Sequence, residues 1–232
     1  MFAVVIPTYN EASNIRLLAK EVLSVGKEFS VIIVDDDSGD GTGKIAEELR
    51  RKSPKRVFVI HRKKKRGLGG AYIAGFKKAL ELNAKLVFSM DADFSHDPKV
   101  LPEFAEKISQ GFDVVLGSRY IKGGGVSWTG TRLALSKGAN TLAKTLLGIP
   151  ANDLTTGFRC YKREVLGKIG LDSVRSNGYS FLEEVLYLCY KKGFRIGEIP
   201  IFFKNRTEGQ SKLGRKEILN FFLTVIRLKL KG

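Results

Sequence analysis

The sequence is poor in cysteine and has no long apolar run. Its two cysteines, Cys160 and Cys189, have neither CxxC nor metal-ligand spacing, so we expect buried free thiols in a reducing compartment. The first residues lack a basic region, an apolar stretch and a cleavage site, and we therefore expect no signal peptide. The longest apolar stretch near the C-terminus, residues 218–226, is interrupted by polar residues. Because a spanning helix needs about 20 apolar residues, we expect no transmembrane span.

Acidic residues are scarce relative to basic ones. The chain has 24 Asp and Glu against 40 Lys and Arg, which gives a formal net charge of +16. Such a charge favours an anionic partner: nucleic acid, anionic lipid or a phosphorylated substrate. The densest basic run, HRKKKR at residues 61–66, is either a solvated loop or a segment that contacts phosphate or a membrane. Charge alone does not choose among these partners.

Alternating apolar and periodic segments indicate the fold class. With 232 residues and 43% hydrophobic content, the chain can bury a full core. Short apolar runs without polar alternation are typical of strands buried on both faces of a parallel sheet. Segments of helical periodicity separate them. This alternation predicts an α/β fold with a mostly parallel twisted sheet, helices on both faces, and ligands beyond the carboxyl ends of the strands. The predicted strands are Phe2 to Ile6, Val31 to Val34, Val57 to Ile60, Leu86 to Met90 and Val114 to Leu116.

The strict alternation ends at about Gly117. We interpret the second half of the chain as an elaboration of the same domain, because no internal repeat or low-complexity segment separates the halves. The predicted segments are a glycine-rich loop at residues 123–125, a helix through 133–147, a turn at 152–157, a helix at 181–191, and a hairpin or edge strand at 196–203 that is interrupted by Pro200.

Aspartates follow two of the predicted strands. Four of them lie between residues 35 and 40, and adjacent carboxylates need a cation, hydrogen-bond donors or open water. Asp91 and Asp93 follow the fourth strand. Alternation along an extended backbone would place both on one side, where they can face a diphosphate-bound Mg²⁺ or Mn²⁺. Asp97 before Pro98 is typical of a helix N-cap instead.

Two glycine-rich segments do not complete a cofactor motif. GLGGAY at residues 67–72 lacks the third glycine of the dinucleotide fingerprint. GDGTGK at residues 39–44 lacks the four-residue gap and the Ser or Thr of a phosphate-binding loop. We therefore set aside hydride transfer and NTP hydrolysis.

Six motifs occur in order along the chain, covering it to about Gly214. They are PTYNE at residues 7–11, VDDDSGDGT at 34–42, RGLGGAYIAGF at 66–76, DADFSHDP at 91–98, GSRY at 117–120 and LTTGFRCYKREVL at 154–166. In this order they resemble family 2 glycosyltransferases and, within them, the dolichol-phosphate (polyprenyl-phosphate) mannose synthases.

The resemblance implies a GT-A fold, which is Rossmann-like, and an inverting reaction. Mannose would pass from GDP-mannose to a dolichyl or other polyprenyl phosphate, giving dolichyl β-D-mannosyl phosphate and GDP, with Mg²⁺ or Mn²⁺ as cofactor. One catalytic domain would cover residues 1–214, with a nucleotide-sugar half over about 1–118 and an acceptor half over about 119–214. The protein would be peripheral, at the cytoplasmic face of a membrane. Because a lipid phosphate is already ionised at neutral pH, it needs little or no general base, and neither histidine is required.

The matching positions also imply a nucleotide-sugar and metal site. Asp93 would be the main metal ligand, Ser95 stands where some members carry a second ligand, and Asp91 is a further candidate. The guanosine contacts would come from Pro7, Tyr9, Glu11, Val34 and Asp36, with Asp91 and Ala92 continuing the pocket.

Basic residues of the later motifs would surround the phosphates. Arg119, Arg206 and Lys212 resemble positions that gather around the diphosphate and the acceptor phosphate, and we assign them to catalysis together with Asp93. Arginine suits this role because its planar fork binds phosphate oxygens in pairs. Arg132 and Arg159 are further candidates for the same anion-binding cluster.

The sequence of residues 215–232 predicts an amphipathic helix. Its polar residues recur at three- and four-residue steps and leave a broad apolar face. That face packs on the protein's own core, lies in the interfacial region of a bilayer, or docks on the transmembrane helix of a small membrane-anchoring subunit. The polar stripe is Glu217, Asn220, Thr224, Arg227 and Lys231, and the apolar face is Ile218, Leu219, Phe221, Phe222, Val225 and Ile226.

Two other functions fit part of the pattern. A polyprenyl-phosphate glucosyltransferase that uses UDP-glucose would share the fold and most motifs. A non-enzymatic binder of anionic lipid or nucleic acid would account for the charge. It would not account for the acidic loops, which repel a phosphate backbone unless a cation intervenes. We therefore expect no nucleic-acid partner.

Overall fold

The computed structural model describes residues 1–63, 67–178, 180–204 and 215–231, without the side chains of residues 215–219 and 231. The strands within these ranges are β1 Phe2–Thr8, β2 Phe29–Asp35, β3 Val57–His61, β4 Leu86–Ser89, β5 Val114–Ser118, β6 Gly125–Val126, β7 Arg159–Lys162, β8 Ile196–Pro200 and β9 Phe202–Phe203. The α-helices are α1 Ala12–Val25, α2 Thr42–Lys52, α3 Leu68–Glu81, α4 Leu101–Ser109, α5 Thr131–Leu147, α6 Arg163–Lys168, α7 Ser180–Lys191 and α8 Arg215–Lys231.

A mostly parallel sheet organises these elements. In the described part of the chain, seven strands form one sheet in the order β3-β2-β1-β4-β7-β5-β8. Neighbouring strands run parallel except β7, which is antiparallel to both β4 and β5. Successive side chains of a strand enter opposite faces, so Val5 packs in one apolar cluster and Val4 in another. Helices α3, α5, α6, α7 and α8 cover the first face, and α1, α2 and α4 cover the second. The predicted α/β fold is confirmed.

Two details of the second half differ from the prediction. Strand β7 was missed, because its four residues begin with Arg159 and end with Lys162 and therefore lack an apolar signal. The hairpin alternative for residues 196–203 is wrong. Strand β8 pairs in parallel with β5 at the edge of the sheet and ends at Pro200, while β9 pairs in parallel with β6 in a separate two-stranded sheet.

A close approach of helix α3 to strand β1 positions part of the site. A Cβ added at Gly75 would lie 2.2 Å from Val5 Cγ1, so only glycine permits this distance. Tyr72, about one helical turn earlier, is fully buried against Phe76 and Phe181. The glycine therefore brings the tyrosine hydroxyl to the carboxyl end of the sheet.

Among the described residues, no helix is both long and apolar enough to cross a membrane. The assignment of residues 1–214 to one catalytic domain, and its division near residue 118, stay predictions.

Candidate active site

The loops after β1 and β2 are joined by side-chain to backbone hydrogen bonds. The backbone N–H of Asn10 donates to Ser38 Oγ at 2.9 Å, and that of Glu11 donates to Thr42 Oγ1 at 2.9 Å. In return, Gly39 N donates to Asn10 Oδ1 at 3.1 Å. The two loops therefore form one unit, which holds the predicted contacts Pro7, Tyr9 and Glu11 partly exposed at the carboxyl edge of the sheet.

Hydrogen-bond donors stabilise the acidic run after β2. Asp35 accepts from Ser38 Oγ at 2.6 Å. Asp40 accepts from Thr42 Oγ1 at 2.6 Å and from Ala12 N at 2.9 Å. Burial raises the pKa of Asp40, but these hydrogen bonds outweigh it and hold the pKa below its ordinary value. The sequence allowed a cation, hydrogen-bond donors or open water to stabilise this acidic run. For Asp35 and Asp40, the stabilisers are hydrogen-bond donors within the protein.

Asp36 is paired with an arginine from the neighbouring strand. The guanidinium of Arg62, which follows β3, forms an ion pair with the buried Asp36 carboxylate. A Cβ at Gly70 would lie 2.6 Å from Arg62 Nη2, so the glycine at the start of α3 leaves room for this arginine. The side chain of Val34 is fully buried beneath the edge, so the backbone is the part of this residue nearest the loops.

The DADFSHDP loop begins where β4 ends. Tyr72 donates its hydroxyl to Asp91 Oδ1 at 3.2 Å, and burial together with Asp91 keeps the pKa of this tyrosine well above its ordinary value. Asp93 is buried, and its Oδ1 accepts from Ser95 Oγ at 2.6 Å and from Ser95 N at 3.1 Å. Ala92 is buried in the core cluster. The extended backbone ends at Ser89, earlier than predicted, so strand alternation does not describe these residues.

His96 fixes the same loop from inside the core. It is 1% exposed, its ring stacks on Phe158 at 4.8 Å, and its Nδ1 accepts the Asp91 backbone N–H at 3.2 Å. Burial lowers the pKa of His96 despite the nearby carboxylates, so the imidazole is neutral at pH 7. His96 therefore has a structural role in this loop.

Arg119, just after β5, is held in a fork by a buried carboxylate. Its Nε and Nη2 donate to the two oxygens of Asp153, each at 2.6 Å, and Nη2 also donates to Thr155 Oγ1 at 2.7 Å. Burial lowers the pKa of Arg119, but Asp153 and, more weakly, Asp91 raise it above the ordinary value. Arg119 therefore stays charged within electrostatic reach of the DADFSHDP loop.

The loop at residues 152–157 also lies close to Asp91. A Cβ at Gly157 would lie 3.2 Å from Asp91 Oδ1, and the Gly157 carbonyl accepts from Ser89 Oγ at 2.7 Å. The same loop therefore supports the carboxylate side of the site and, through Asp153, the arginine side.

The remaining basic candidates separate into three groups. Arg206 and Lys212 lie outside the described residues, as do residues 64–66 of the basic run. Arg132 is exposed and lies over the Trp128 ring at 4.2 Å. Arg159 is fully buried and donates to the carbonyls of Thr156, Leu182 and Leu154 at 2.6–2.8 Å. The interpretation of Arg159 as an anion-binding residue is wrong, because its donors are used inside the fold.

Sequence reasoning missed the partners of the predicted residues. Tyr72 and Thr155 lie inside quoted motifs without an assigned role, and Arg62 was counted only as part of a basic run. Asp153 directly precedes a motif. The rule that each buried charge needs a partner would have pointed to these loops. It would not have identified which residues form the pairs.

Helix α5 and helix α8, which packs against it, expose apolar side chains. Leu135 and Leu142 are exposed on α5, and Leu223, Ile226 and Leu230 are exposed along one stripe of α8. Two residues of the polar stripe face inward, beside the buried Val225 and Leu228: Thr224 is buried, and Arg227 donates to Ser176 Oγ at 2.7 Å and Glu184 Oε2 at 2.8 Å. A cavity of about 740 Å³ lies beside α5, with Tyr120, Lys137 and Lys144 in its wall.

The fold and the loops define an α/β protein with a candidate ligand site at the carboxyl edge of a mostly parallel sheet, which brings acidic loops and a charged arginine to the same edge. Residues 3–170 match the model of glycosyl transferase family 2, and the chain belongs to this family.

Named relatives cover most of the chain. It is 42% identical over 230 residues to the polyprenol monophosphomannose synthase of Mycolicibacterium smegmatis, covering 99% of this chain and 87% of the relative. It is 40% identical over 210 residues to the undecaprenyl-phosphate mannosyltransferase of Micrococcus luteus, covering 90% of this chain and 86% of that protein. Among solved structures, glucosyl-3-phosphoglycerate synthase from Mycobacterium tuberculosis, in complex with Mn²⁺, UDP and glucosyl-3-phosphoglycerate, matches with a TM-score of 0.67. That match is 18% identical and covers 100% of this chain and 79% of the other, which shows the fold.

Proposed function

We propose that the protein transfers mannose from GDP-mannose to a polyprenyl phosphate, with inversion, giving a polyprenyl (dolichyl) β-D-mannosyl phosphate and GDP. The observation that carries this proposal is the 42% identity with a polyprenol monophosphomannose synthase over 99% of the chain. The second relative, also named for mannosyl transfer to a polyprenyl phosphate, supports the same donor sugar and acceptor class.

The nucleotide would bind at the joined loops after β1 and β2. Pro7, Tyr9 and Glu11 line this edge, and Asp36 lies beside it in its pair with Arg62. A buried carboxylate that is held in place by an arginine suits recognition of a nucleobase edge, because an ionised carboxylate accepts hydrogen bonds from ring and amino N–H groups. Val34 would contribute through its backbone, and Ala92 would close the pocket below.

A divalent cation, Mg²⁺ or Mn²⁺, would be held mainly by Asp93, with Asp91 and Ser95 as further oxygen donors. The donor set fits such an ion, because Ser95 Oγ uses its proton on Asp93 and keeps its lone pairs. The described residues contain no group of three or more His, Cys, Asp or Glu that could hold a metal. A site with one or two carboxylates completed by water and substrate phosphates is the usual arrangement for Mg²⁺. When bound, the ion offsets charge on the diphosphate leaving group.

The protein's own residues would act on two phosphorylated substrates. An ionised lipid phosphate attacks the anomeric carbon without a general base. The main tasks are then to hold two anions together and to stabilise charge on the departing GDP. Arg119 remains charged at the site and would serve this purpose, with Arg206 and Lys212 as partners predicted from the sequence. Tyr72 would orient Asp91 through its hydroxyl.

The acceptor is a lipid, and the exposed apolar residues of α5 and α8 would lie against the membrane that contains it. Five large apolar side chains exposed on two helices form the kind of surface that marks an interaction site. Lys137 and Lys144 on α5, and Lys229 on α8, suit an anionic bilayer. The protein would therefore work as a peripheral protein at the cytoplasmic face. A membrane-anchoring subunit is the alternative occupant of the α8 stripe.

The transfer reaction can be tested with purified protein, radiolabelled GDP-mannose, a short polyprenyl phosphate and Mg²⁺ or Mn²⁺. We expect label to enter the organic phase, and we expect EDTA to abolish this transfer. Label that stays in water with every metal would contradict the proposal.

A further inference from the structure

Asn140 connects helix α5 to the loop at residues 152–157. It is 2% exposed, and its amide uses both of its polar atoms. The Oδ1 atom accepts from Leu154 N at 2.7 Å and from Thr155 N at 3.3 Å. The Nδ2 group donates to Ser136 O at 2.9 Å and to Thr155 Oγ1 at 3.1 Å. A primary amide offers two N–H donors and one oxygen, so this side chain has a single orientation.

The Thr155 hydroxyl has an equally complete set of partners. Its oxygen accepts from Arg119 Nη2 at 2.7 Å and from Asn140 Nδ2 at 3.1 Å, and it donates to Asp153 Oδ1 at 3.3 Å. A hydroxyl has one proton and two lone pairs. Thr155 is therefore the one described side chain that joins Asn140 of α5 to Arg119 by hydrogen bonds.

A second link from α5 reaches the residue next to Arg119. Tyr120 donates its hydroxyl to Ser136 Oγ at 2.6 Å. Ser136 and Asn140 are four residues apart and share one face of the helix. Helix α5 thus holds Arg119 from both sides, through its chain neighbour Tyr120 and through its hydrogen-bond partner Thr155.

Two of the three nitrogen atoms of the Arg119 guanidinium are engaged in hydrogen bonds. The side chain of Arg119 is 9% exposed. Its Nε and Nη2 are engaged by Asp153 and Thr155, and within the described residues its Nη1 has no hydrogen-bond partner. The bidentate contact with Asp153 sets the plane of the fork, and the Thr155 hydroxyl restrains the Nη2 end. The remaining donors then point in a fixed direction.

We infer that Thr155 and Asn140 are positioning residues, which aim the Nη1 edge of Arg119 at the acceptor phosphate and tie its orientation to helix α5. The inference rests on the proposed function, since it names the residues that support one phosphate contact of that site. Neither residue needs to touch substrate, because both act through Arg119. The same helix exposes apolar residues that would meet the lipid. Helix α5 would therefore both contact the acceptor and orient Arg119.

The test uses three matched substitutions in the full chain. Thr155→Val removes the hydroxyl and keeps the shape, and Thr155→Ser restores the hydroxyl. Thr156→Val removes a neighbouring buried hydroxyl that accepts from Phe158 N at 3.3 Å and has no hydrogen bond to Arg119 among the described residues. Farnesyl phosphate binding is measured by calorimetry without donor, and kcat and KM for both substrates are measured in the transfer assay.

We expect Thr155→Val to weaken farnesyl phosphate binding and to lower kcat/KM for the acceptor by about 10- to 100-fold, the range of a lost hydrogen bond to a charged group. The KM for GDP-mannose should change by less than about twofold, because among the described residues neither Asn140 nor Thr155 has a hydrogen bond to the loops after β1 and β2. Thr155→Ser and Thr156→Val should remain close to wild type. In an Arg119→Lys background, which keeps a charge for Asp153, Thr155→Val should have little further effect.

Equal losses for Thr155→Val and Thr156→Val, or an undiminished effect in the Arg119→Lys background, would overturn the inference while leaving the proposed function intact. Wild-type protein that binds no polyprenyl phosphate would instead contradict the proposed acceptor and, with it, the inference.

Discussion

Two regions at one edge of the sheet are built differently. One consists of the loops after β1 and β2, and the other of the elements around Arg119. In the first region, hydroxyls and backbone N–H groups stabilise the acidic side chains, and the two loops form one polar unit. In the second region, a buried arginine and aspartate are enclosed by hydrogen bonds, while the helices outside them expose five large apolar residues. A polar pocket is enough for a water-soluble nucleotide. Under the proposed function, a lipid substrate also needs an apolar outer surface, and the exposed side chains of α5 and α8 would supply it.

The largest expected effect comes from a change at the proposed metal site, and its control lies in the same loop. Asp93→Ala should lower mannosyl transfer by about 1000-fold, because it would remove the main oxygen ligand of a cation worth several kcal/mol in the transition state. The matched control is Asp97→Ala in the same loop. Asp97 caps a 3₁₀ turn by accepting from Lys99 N at 3.0 Å, so its loss should reduce stability by about 1 kcal/mol without loss of activity. Equal inactivation by both changes would contradict the assignment of Asp93.

A second change addresses the nucleotide region alone. Arg62→Ala removes the guanidinium that pairs with the buried Asp36, and we expect the KM for GDP-mannose to rise about tenfold or more, as for a lost charged hydrogen bond. The KM for the acceptor should not change. Arg16→Ala is the control, because it breaks a partly exposed ion pair with Glu48 that contributes little. A rise in the acceptor KM instead would mean that the two regions are not separate.

A third change addresses the apolar surface. Replacing Leu223 and Ile226 together by Gln should reduce binding to vesicles with anionic lipid by about tenfold or more, since binding scales with inserted apolar area. Both side chains are more than half exposed, so thermal stability should hardly change.

The control for this surface is Leu17→Gln on α1, where the leucine is as exposed as Leu223, each at 55%. A similar loss of vesicle binding for Leu17→Gln would show that any exposed leucine serves equally. That result would contradict a specific membrane face on α8.

The smallest expected effect concerns how α8 is held against α7. Burial raises the pKa of Glu184, but hydrogen bonds from Ser176 and Arg175 and the charge of Arg227 lower it below the ordinary value of 4.5. A lowered pKa in the folded state means that the contribution to stability is complete above pH 4.5 and is lost as the pH falls through the folded pKa.

We therefore expect the Tm difference between wild type and Glu184→Gln to be a few degrees at pH 7 and to shrink below pH 4.5. Thermal unfolding followed by circular dichroism between pH 7 and pH 3 measures it. A difference that grows on acidification would contradict this sign.

The sequence was informative where burial and short-range pattern coincide. The parallel strands were predictable because runs such as residues 31–34 are apolar on both faces, and the positions of Asp91 and Asp93 follow from the end of such a run. Strand β7 was not predictable, because Arg159 enters the core by donating to carbonyls of the preceding loop and to that of Leu182, 23 residues away.

The partners of the site residues were hidden for a related reason. Tyr72 and Asp91 are 19 residues apart, and Arg119 and Asp153 are 34 apart. A single motif contains only one member of each pair. Which residue becomes its partner depends on the order of the strands in the sheet. The placement of β7 between β4 and β5 puts the loop that precedes it beside both Asp91 and Arg119, and no local pattern encodes that order.

The most direct test of mannosyl transfer to a lipid phosphate is a competition between two donors with different labels. Equal amounts of ¹⁴C-labelled GDP-mannose and ³H-labelled UDP-glucose are incubated with the protein, a polyprenyl phosphate and Mn²⁺, and both labels are counted in the organic phase. We expect the mannose label to dominate the lipid product. A lipid product in which the glucose label dominates would contradict the donor, and the absence of both labels from the lipid would contradict the reaction.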